Sequence, residues 1–388
     1  MIPEPVQSCA YVRAAAGCAT AERRVTRENG AVLRLRPPSG RSAALLLGVL
    51  AWLPVALLLA VPALAHGGEV PPAPDLAGLV LGWSFDPLVW IPLLASGAAY
   101  LGAVRRVDAA HPDSPVPRDR PAFFLVGLAA IAVALQSGIE RWDTTLFSIH
   151  MVQHLLLVVV AAPAIALAAP ITLLLRVATP AARSRWILPV LRSRVVKVIG
   201  HPLVAWLLFA ATMWASHVSP LFDAALEDEL LHMLEHALFL GTALLFWWPV
   251  VGRDPSPWRM SYPARLFYLF LAMPLNSFLG VLILFSERVL YPHYETTGRT
   301  WGPSPLDDQQ LAGAMMWGLG DAAFLVALLL VIAAWMRHEE ATTRRREAAE
   351  DARAARLAAP TSPGAGVLPA APPVMPPAGQ AEGIGASR

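Results

Sequence analysis

The sequence predicts an all-α membrane protein: a polytopic bundle of about seven transmembrane helices, preceded by an N-terminal signal or anchor helix. Three observations predict it. The chain is 56% hydrophobic and only 15% charged, with a mean hydropathy of +0.52, well away from a soluble domain. Its apolar residues gather into runs that approach or exceed the roughly 20 residues a helix needs to cross a bilayer. The basic residues concentrate in alternate connecting loops, the pattern that orients membrane helices.

In chain order, residues 1–41 are polar and arginine-bearing without apolar periodicity, which predicts disorder. The apolar run 43–65 ends Val61-Pro-Ala-Leu-Ala65 before His66. A basic flank, an apolar stretch and a small-x-small end resemble a secretory signal cleaved after Ala65. The leader is long for a signal, so an uncleaved anchor is the alternative. Cys9 and Cys18 both lie in this leader, so no disulfide frames the fold. Further spans are expected at about 87–104, 121–138, 145–169, 201–219, 229–250, 263–285 and 309–336. Pro163, Pro170 and Pro274 read as kinks or ends, and Trp247, Trp248 and Trp317 as interface anchors.

The loops 105–120, 170–200 and 251–265 together hold 13 Arg or Lys, against 3 in 66–86, 139–144, 220–228 and 286–308. By the positive-inside rule the first set is cytoplasmic and the second faces outward. The C-terminus, with Arg337 and Arg344-Arg-Arg346, is then cytoplasmic, and a bacterial plasma membrane is the expected location. The chain thus divides into a leader with its helix (1–65), a bundle (66–338), and a charged stub running into a Pro/Ala/Gly-rich tail (339–388). A net charge of +2 without a basic stripe excludes a nucleic-acid partner.

One pattern occurs twice: His150-Met-Val-Gln-His154 and His232-Met-Leu-Glu-His236. With only 10 histidines in 388 residues, coincidence is a poor account. Each copy puts two imidazoles on one helix face, about one turn apart, near the start of an apolar span where polar groups need a partner or a task. His217, at the end of an outward-running span, reaches the same level, as do Met213, Met315 and Met316. The expected site is metal-binding, with His150, His154, His217, His232 and His236 as ligands. Imidazole suits copper, zinc, iron and nickel, and thioether sulfur selects Cu(I), so copper ranks first. His111, His201, His293 and His338 fall in loops or at span ends and are expected to be bystanders.

The competing accounts are interhelical hydrogen bonding of each histidine, a zinc-dependent intramembrane hydrolase, and a membrane haem protein. A zincin requires H-E-x-x-H, whereas Met occupies the second position in both copies here; Glu235 would have to act from another geometry. An i,i+4 pair on one helix uses its second histidine poorly as a haem ligand. Asp321 and Asn276 reach similar depths in the last two spans, either as a functional carboxyl with its neighbour or as a structural hydrogen bond.

These residues carry a family resemblance. The stretch Ser148-Ile-His150-Met-Val-Gln-His154-Leu-Leu-Leu with Ala162-Pro163, then His201-Pro-Leu, His217, His232-Met-Leu-Glu-His236, Trp248-Pro249-Val250 and Asp308-Gln309-Gln310-Leu-Ala-Gly313 with Met316-Trp317, resembles the multi-span cytochrome c oxidase assembly factors of the Bacillus-type CtaG family, over about residues 80–336. The resemblance implies a non-enzymatic role in maturing a haem–copper oxidase: supplying or inserting copper. The implied partners are an oxidase subunit in the membrane and a copper donor protein.

Overall fold

The computed structural model describes residues 70–358, and helices with short connections account for its order; no strand occurs among the described residues. The leader helix, its cleavage point and the tail beyond 358 lie outside the described residues. Ten helices set the architecture: α1 (Leu76–Leu81), α2 (Pro87–Ala110), α3 (Asp119–Gln136), α4 (Gly138–Asp143), α5 (Phe147–Val177), α6 (Pro202–Val218), α7 (Leu221–Glu227), α8 (Glu229–Val251), α9 (Tyr262–Leu284) and α10 (Pro305–Ala358). Among the described residues six are long and apolar enough to cross a membrane. The count is seven if α6 and α7, bent by 72° at their junction, form one broken span. An all-α polytopic bundle is therefore correct. Six of the seven expected spans are found, those expected to end at 169 and 336 running on to Val177 and Ala358. The seventh, 201–219, qualifies only as part of the bent α6–α7 pair.

Local chemistry explains the element ends. Asp86, Asp228 and Ser261 accept backbone N–H groups at the starts of α2, α8 and α9, relieving donors that have no intrahelical partner. α3 and α7 begin without a side-chain cap, and α5 takes its cap from elsewhere. It begins at Leu146 without a side-chain cap of its own, and Asp308 of α10 supplies one from across the bundle. The Asp308 carboxylate accepts the Phe147 N–H at 2.6 Å and the Ser148 hydroxyl at 2.5 Å.

α5 is also irregular further on. Leu156–Ala161 form a π-helical turn directly after His154, and Ala169 stands in the left-handed region at φ 53° before Pro170 restarts the helix. The groups released by these breaks are taken up by neighbours, as buried backbone requires. Trp247 Nε1 donates to the Val158 carbonyl at 2.9 Å, Tyr100 Oη to Ala168 at 2.8 Å, and Arg253 to Leu167 at 2.9 Å. Asp254 accepts the N–H groups of Ile171 and Thr172. Trp247 is thus a core residue, 4% exposed, and not an interface anchor; its indole is committed to α5. Trp317 is exposed.

α9 and α10 pack most closely. A Cβ on Gly280 would stand 2.9 Å from Trp317, and one on Gly313 would stand 2.6 Å from the Leu284 backbone, the small-residue contact by which membrane helices approach. Between them Asn276 Nδ2 donates to Asp321 at 3.0 Å and to the Met316 carbonyl at 3.0 Å, and Ser277 donates to the other Asp321 oxygen. The expected Asp–Asn hydrogen bond is present. α10 continues as one helix of 54 residues, about 80 Å at 1.5 Å per residue, so the charged stub is a direct extension of the last span.

Candidate metal centre

The repeated motif brings its imidazoles together at one end of the bundle. α5 presents His150 and His154, and α8 presents His232 and His236 opposite. His150 Nε2 and His154 Nε2 are 2.9 Å apart. The rings of His150 and His232 stack at 5.1 Å, His154 and His236 lie at 5.4 Å, and His232 and His236 at 4.4 Å. His150, His154 and His236 are all buried, at 0%, 3% and 7% exposure. His232 is partly open and sits 3.8 Å from an Asp143 oxygen.

His217 joins from the end of α6, with its ring 6.1 Å from His154. Its Nδ1 lies 2.8 Å from the Met213 carbonyl. A carbonyl only accepts, so Nδ1 carries the hydrogen and Nε2 keeps its lone pair. Backbone fixing of one ring nitrogen is how metal-binding histidines are commonly oriented. The α6–α7 bend then folds Phe222 over the cluster, with its ring 4.9 Å from His150 and 5.5 Å from His217. Phe239 stacks on His154 at 4.1 Å.

The two motif copies differ at their fourth positions, and the structure gives a reason. Gln153 turns away to donate to the Ala134 carbonyl at 3.0 Å, tying α5 to α3. Glu235 turns inward, and one of its oxygens is 3.7 Å from His150 Nε2. Two triads result, His150–His232–His236 and His150–His154–Glu235, and within each the candidate ligand atoms lie within 4.8 Å of one another. His150 belongs to both.

Whether these residues suit an ion is tested by their unused nitrogens. His150 Nδ1, His154 Nδ1, His217 Nε2 and His236 Nε2 are buried without a hydrogen-bond partner among the described residues. Individually satisfied structural histidines would not leave so many, since each unpaired buried polar group costs about 1–3 kcal/mol. Two imidazole nitrogens bound side by side at 2.0–2.1 Å would lie about 2.9–3.4 Å apart, which brackets the His150–His154 separation. The donor set fits a late first-row ion.

Sequence reasoning named the five histidines and Glu235 and quoted Asp308 within the family motif, but it missed Asp143 and gave Asp308 no role. Asp143, 2% exposed, faces His232, and burial, with Glu140 adding to it, pushes its carboxyl well above the usual range. Asp308 fixes the start of the histidine-bearing helix, and Glu235 faces His150. His293 lies outside both triads and joins the α4–α5 loop to α7: its Nε2 meets the Thr144 carbonyl at 2.9 Å and its backbone N–H meets Asp223 at 3.1 Å. His201 caps α6 and packs on Trp258. Of the methionines, Met151 and Met316 are buried beside the cluster, and Met213 lines the same small cavity as His154 and His217.

These features define a polytopic α-helical membrane protein with a nearly dry imidazole cluster near one end of its bundle. The model of the family described as cytochrome c oxidase caa3 assembly factor matches residues 98–338. The chain belongs to that family. It is 32% identical over 273 residues to uncharacterised proteins of Mycobacterium bovis and Mycobacterium tuberculosis, covering 68% of this chain and 40% of theirs. An uncharacterised protein of Mycobacterium leprae is 27% identical over 270 residues, 68% of this chain and 41% of its own. The chain therefore spans about two-fifths of the length of the curated relatives it matches. No solved structure matches it.

Proposed function

We propose that the protein is an assembly factor for a haem–copper oxidase and that it holds copper in the His150-centred cluster before passing it to an oxidase subunit in the membrane. The observation that carries the reading is the meeting of four imidazoles and one carboxylate from α5 and α8 in two triads of closely spaced candidate ligand atoms, with buried ring nitrogens of His150, His154 and His236 left without hydrogen-bond partners among the described residues. Family membership supports the oxidase side of it. By the positive-inside rule this end of the bundle faces outward. A copper donor protein outside the membrane would then meet Asp143 and the partly open His232 first, with the buried histidines behind them.

The ligands suit handover. Neutral imidazoles with one acid hold an ion without the thiolate shell that makes structural sites closed and permanent. Phe222 and Phe239 shield the inner rings from water. The protein's part is to bind, shield and release, with no bond made or broken in a substrate.

Glu235 beside His150 keeps one further reading open, a zinc site with a carboxylate near the metal. A haem would need a porphyrin-wide slot between two axial ligands, whereas the His150 and His232 rings stack directly on each other.

Elemental analysis of the detergent-purified full chain separates these readings: copper supports the proposal, stoichiometric zinc the hydrolase. His150 belongs to both triads, so His150→Asn should weaken copper retention at the cluster by at least tenfold, about the smallest effect expected for altering a metal site. It should also lower the copper content of the oxidase while leaving its haems in place. A His150→Asn protein that accumulates normally, retains copper and supports a fully metallated oxidase would defeat the proposal.

A further inference from the structure

A small cavity lies against the inner side of the histidine cluster, towards the middle of the bundle. It has room for about 20 Å³, and its lining includes His154, His217, Met151, Met213 and Met316. That volume suits one water molecule or one bare ion, and not a divalent cation with its hydration shell. Both of these lining histidines have one ring nitrogen without a hydrogen-bond partner among the described residues. His154 directs Nε2 towards His150, leaving Nδ1 without a partner, and His217 has Nδ1 fixed by the Met213 carbonyl, leaving Nε2 without one. These residues are 3% and 4% exposed. The three methionines come from three different helices, α5, α6 and α10, so one helix's apolar stripe does not account for their meeting.

We infer that this cavity is a second metal station, a Cu(I) site formed by the imidazoles of His154 and His217 with thioether sulfur from Met151, Met213 and Met316. The inference rests on the copper reading given above and deepens it, assigning an oxidation state and a direction. Thioether sulfur selects Cu(I) over harder ions. Every ligand here is neutral, so a monovalent ion leaves one uncompensated charge in an apolar cavity where a divalent ion would leave two, at far greater cost. His154 borders both stations, with Nε2 on the upper cluster and Nδ1 on the cavity. An ion moving inward would exchange nitrogen and carboxylate partners for nitrogen and sulfur ones, without a water-filled step.

The test uses the full chain in detergent, titrated anaerobically with Cu(I) under a competing chelator, and X-ray absorption at the copper edge. The wild-type protein should bind two Cu(I) ions, with sulfur among the nearest scatterers. Met151→Leu/Met213→Leu/Met316→Leu, which keeps size and apolarity, should lose one ion and the sulfur signal. His232→Asn/His236→Asn should lose the other ion and retain sulfur. Copper bound to the wild type with nitrogen and oxygen neighbours alone would overturn the second station and leave the upper cluster standing. So would two ions retained by the triple leucine variant. A wild-type chain that binds no Cu(I) would remove both. The wild-type spectrum decides without reliance on any variant's folding.

Discussion

Replacing Asp308 tests whether the histidine cluster depends on a cap borrowed from a distant helix. Asp308 is 1% exposed and holds the Phe147 N–H and the Ser148 hydroxyl. Asp308→Ala removes an N-cap, worth about 0.5–2 kcal/mol, and strands a buried donor at about 1–3 kcal/mol. Allowing for overlap between these figures, the loss should be about 2–4 kcal/mol. At about 2–4 °C per kcal/mol, the figure for the larger single domains, the apparent melting midpoint in detergent should fall by roughly 4–16 °C. Asp308→Asn keeps an acceptor in place and loses the charge–dipole part, about 0.3–1 kcal/mol, so it should recover most of the loss. His150 lies only three residues beyond Phe147, so copper retention by Asp308→Ala should weaken with stability. An Asp308→Ala protein that melts within a degree of wild type and binds copper normally would refute the idea that α10 sets the position of α5.

Three further outcomes follow from the geometry. Reporter fusions at Ser184 and Asp254 should behave as cytoplasmic and those at Asp223 and Gly302 as external; an intracellular Asp223 would put the cluster on the wrong side for an outer donor. His293→Ala should lower stability by about 0.5–1.5 kcal/mol, the worth of one hydrogen bond, and a melting curve unchanged from wild type would leave it without that structural role. Burial, with Asp86 and Glu229 nearby and only partly offset by the Ser84 hydroxyl, pushes Glu140 up to about 7. A carboxyl raised in the fold binds its proton more tightly there than in the unfolded chain, so it costs stability as pH rises from about 4.5 towards 7 and above. Glu140→Gln should flatten the thermal-stability profile between pH 5 and 8, and an unchanged slope would show that Glu140 is not its source.

The spans and the paired histidines were legible because both are local properties. Hydropathy over about 20 residues and an i,i+4 spacing survive whatever the rest of the chain does. Depth along each span then sufficed to place five histidines at one level. What sequence could not supply were the cross-bundle partners. Asp308 meets Phe147 across 161 positions and His293 meets Thr144 across 149, and such pairings leave no mark on the local pattern. The same limit hid Trp247, whose indole resembles an interface anchor until the π-turn offers it a carbonyl. Asp143, at the end of a short helix, drew no notice because nothing in its local sequence shows that His232 faces it. The family resemblance included Asp308 and Gln309, and it is the structure that gives these residues work. Gln309 accepts the Leu290 N–H and donates to the Arg288 carbonyl, holding the loop before α10.

The π-turn at Leu156–Ala161 makes residue counting matter along α5. Such a turn takes up about one residue more than a regular helix of the same reach, and each residue of an α-helix is worth about 100° of rotation. The spare residue therefore sets the rotational phase between the half of α5 that carries His150 and His154 and the half that packs on α3 and α8. Deleting one residue within 156–161 should let the helix close into ordinary α geometry with both halves still in phase, at the cost of the carbonyl that Trp247 uses. Deleting one residue between His154 and Leu156, or just after Ala161, would leave the irregular turn intact and swing the histidines about a quarter of the way round the axis. Length changes in this span should thus be tolerated at a single address, because the histidine-bearing face depends on that miscount for its orientation.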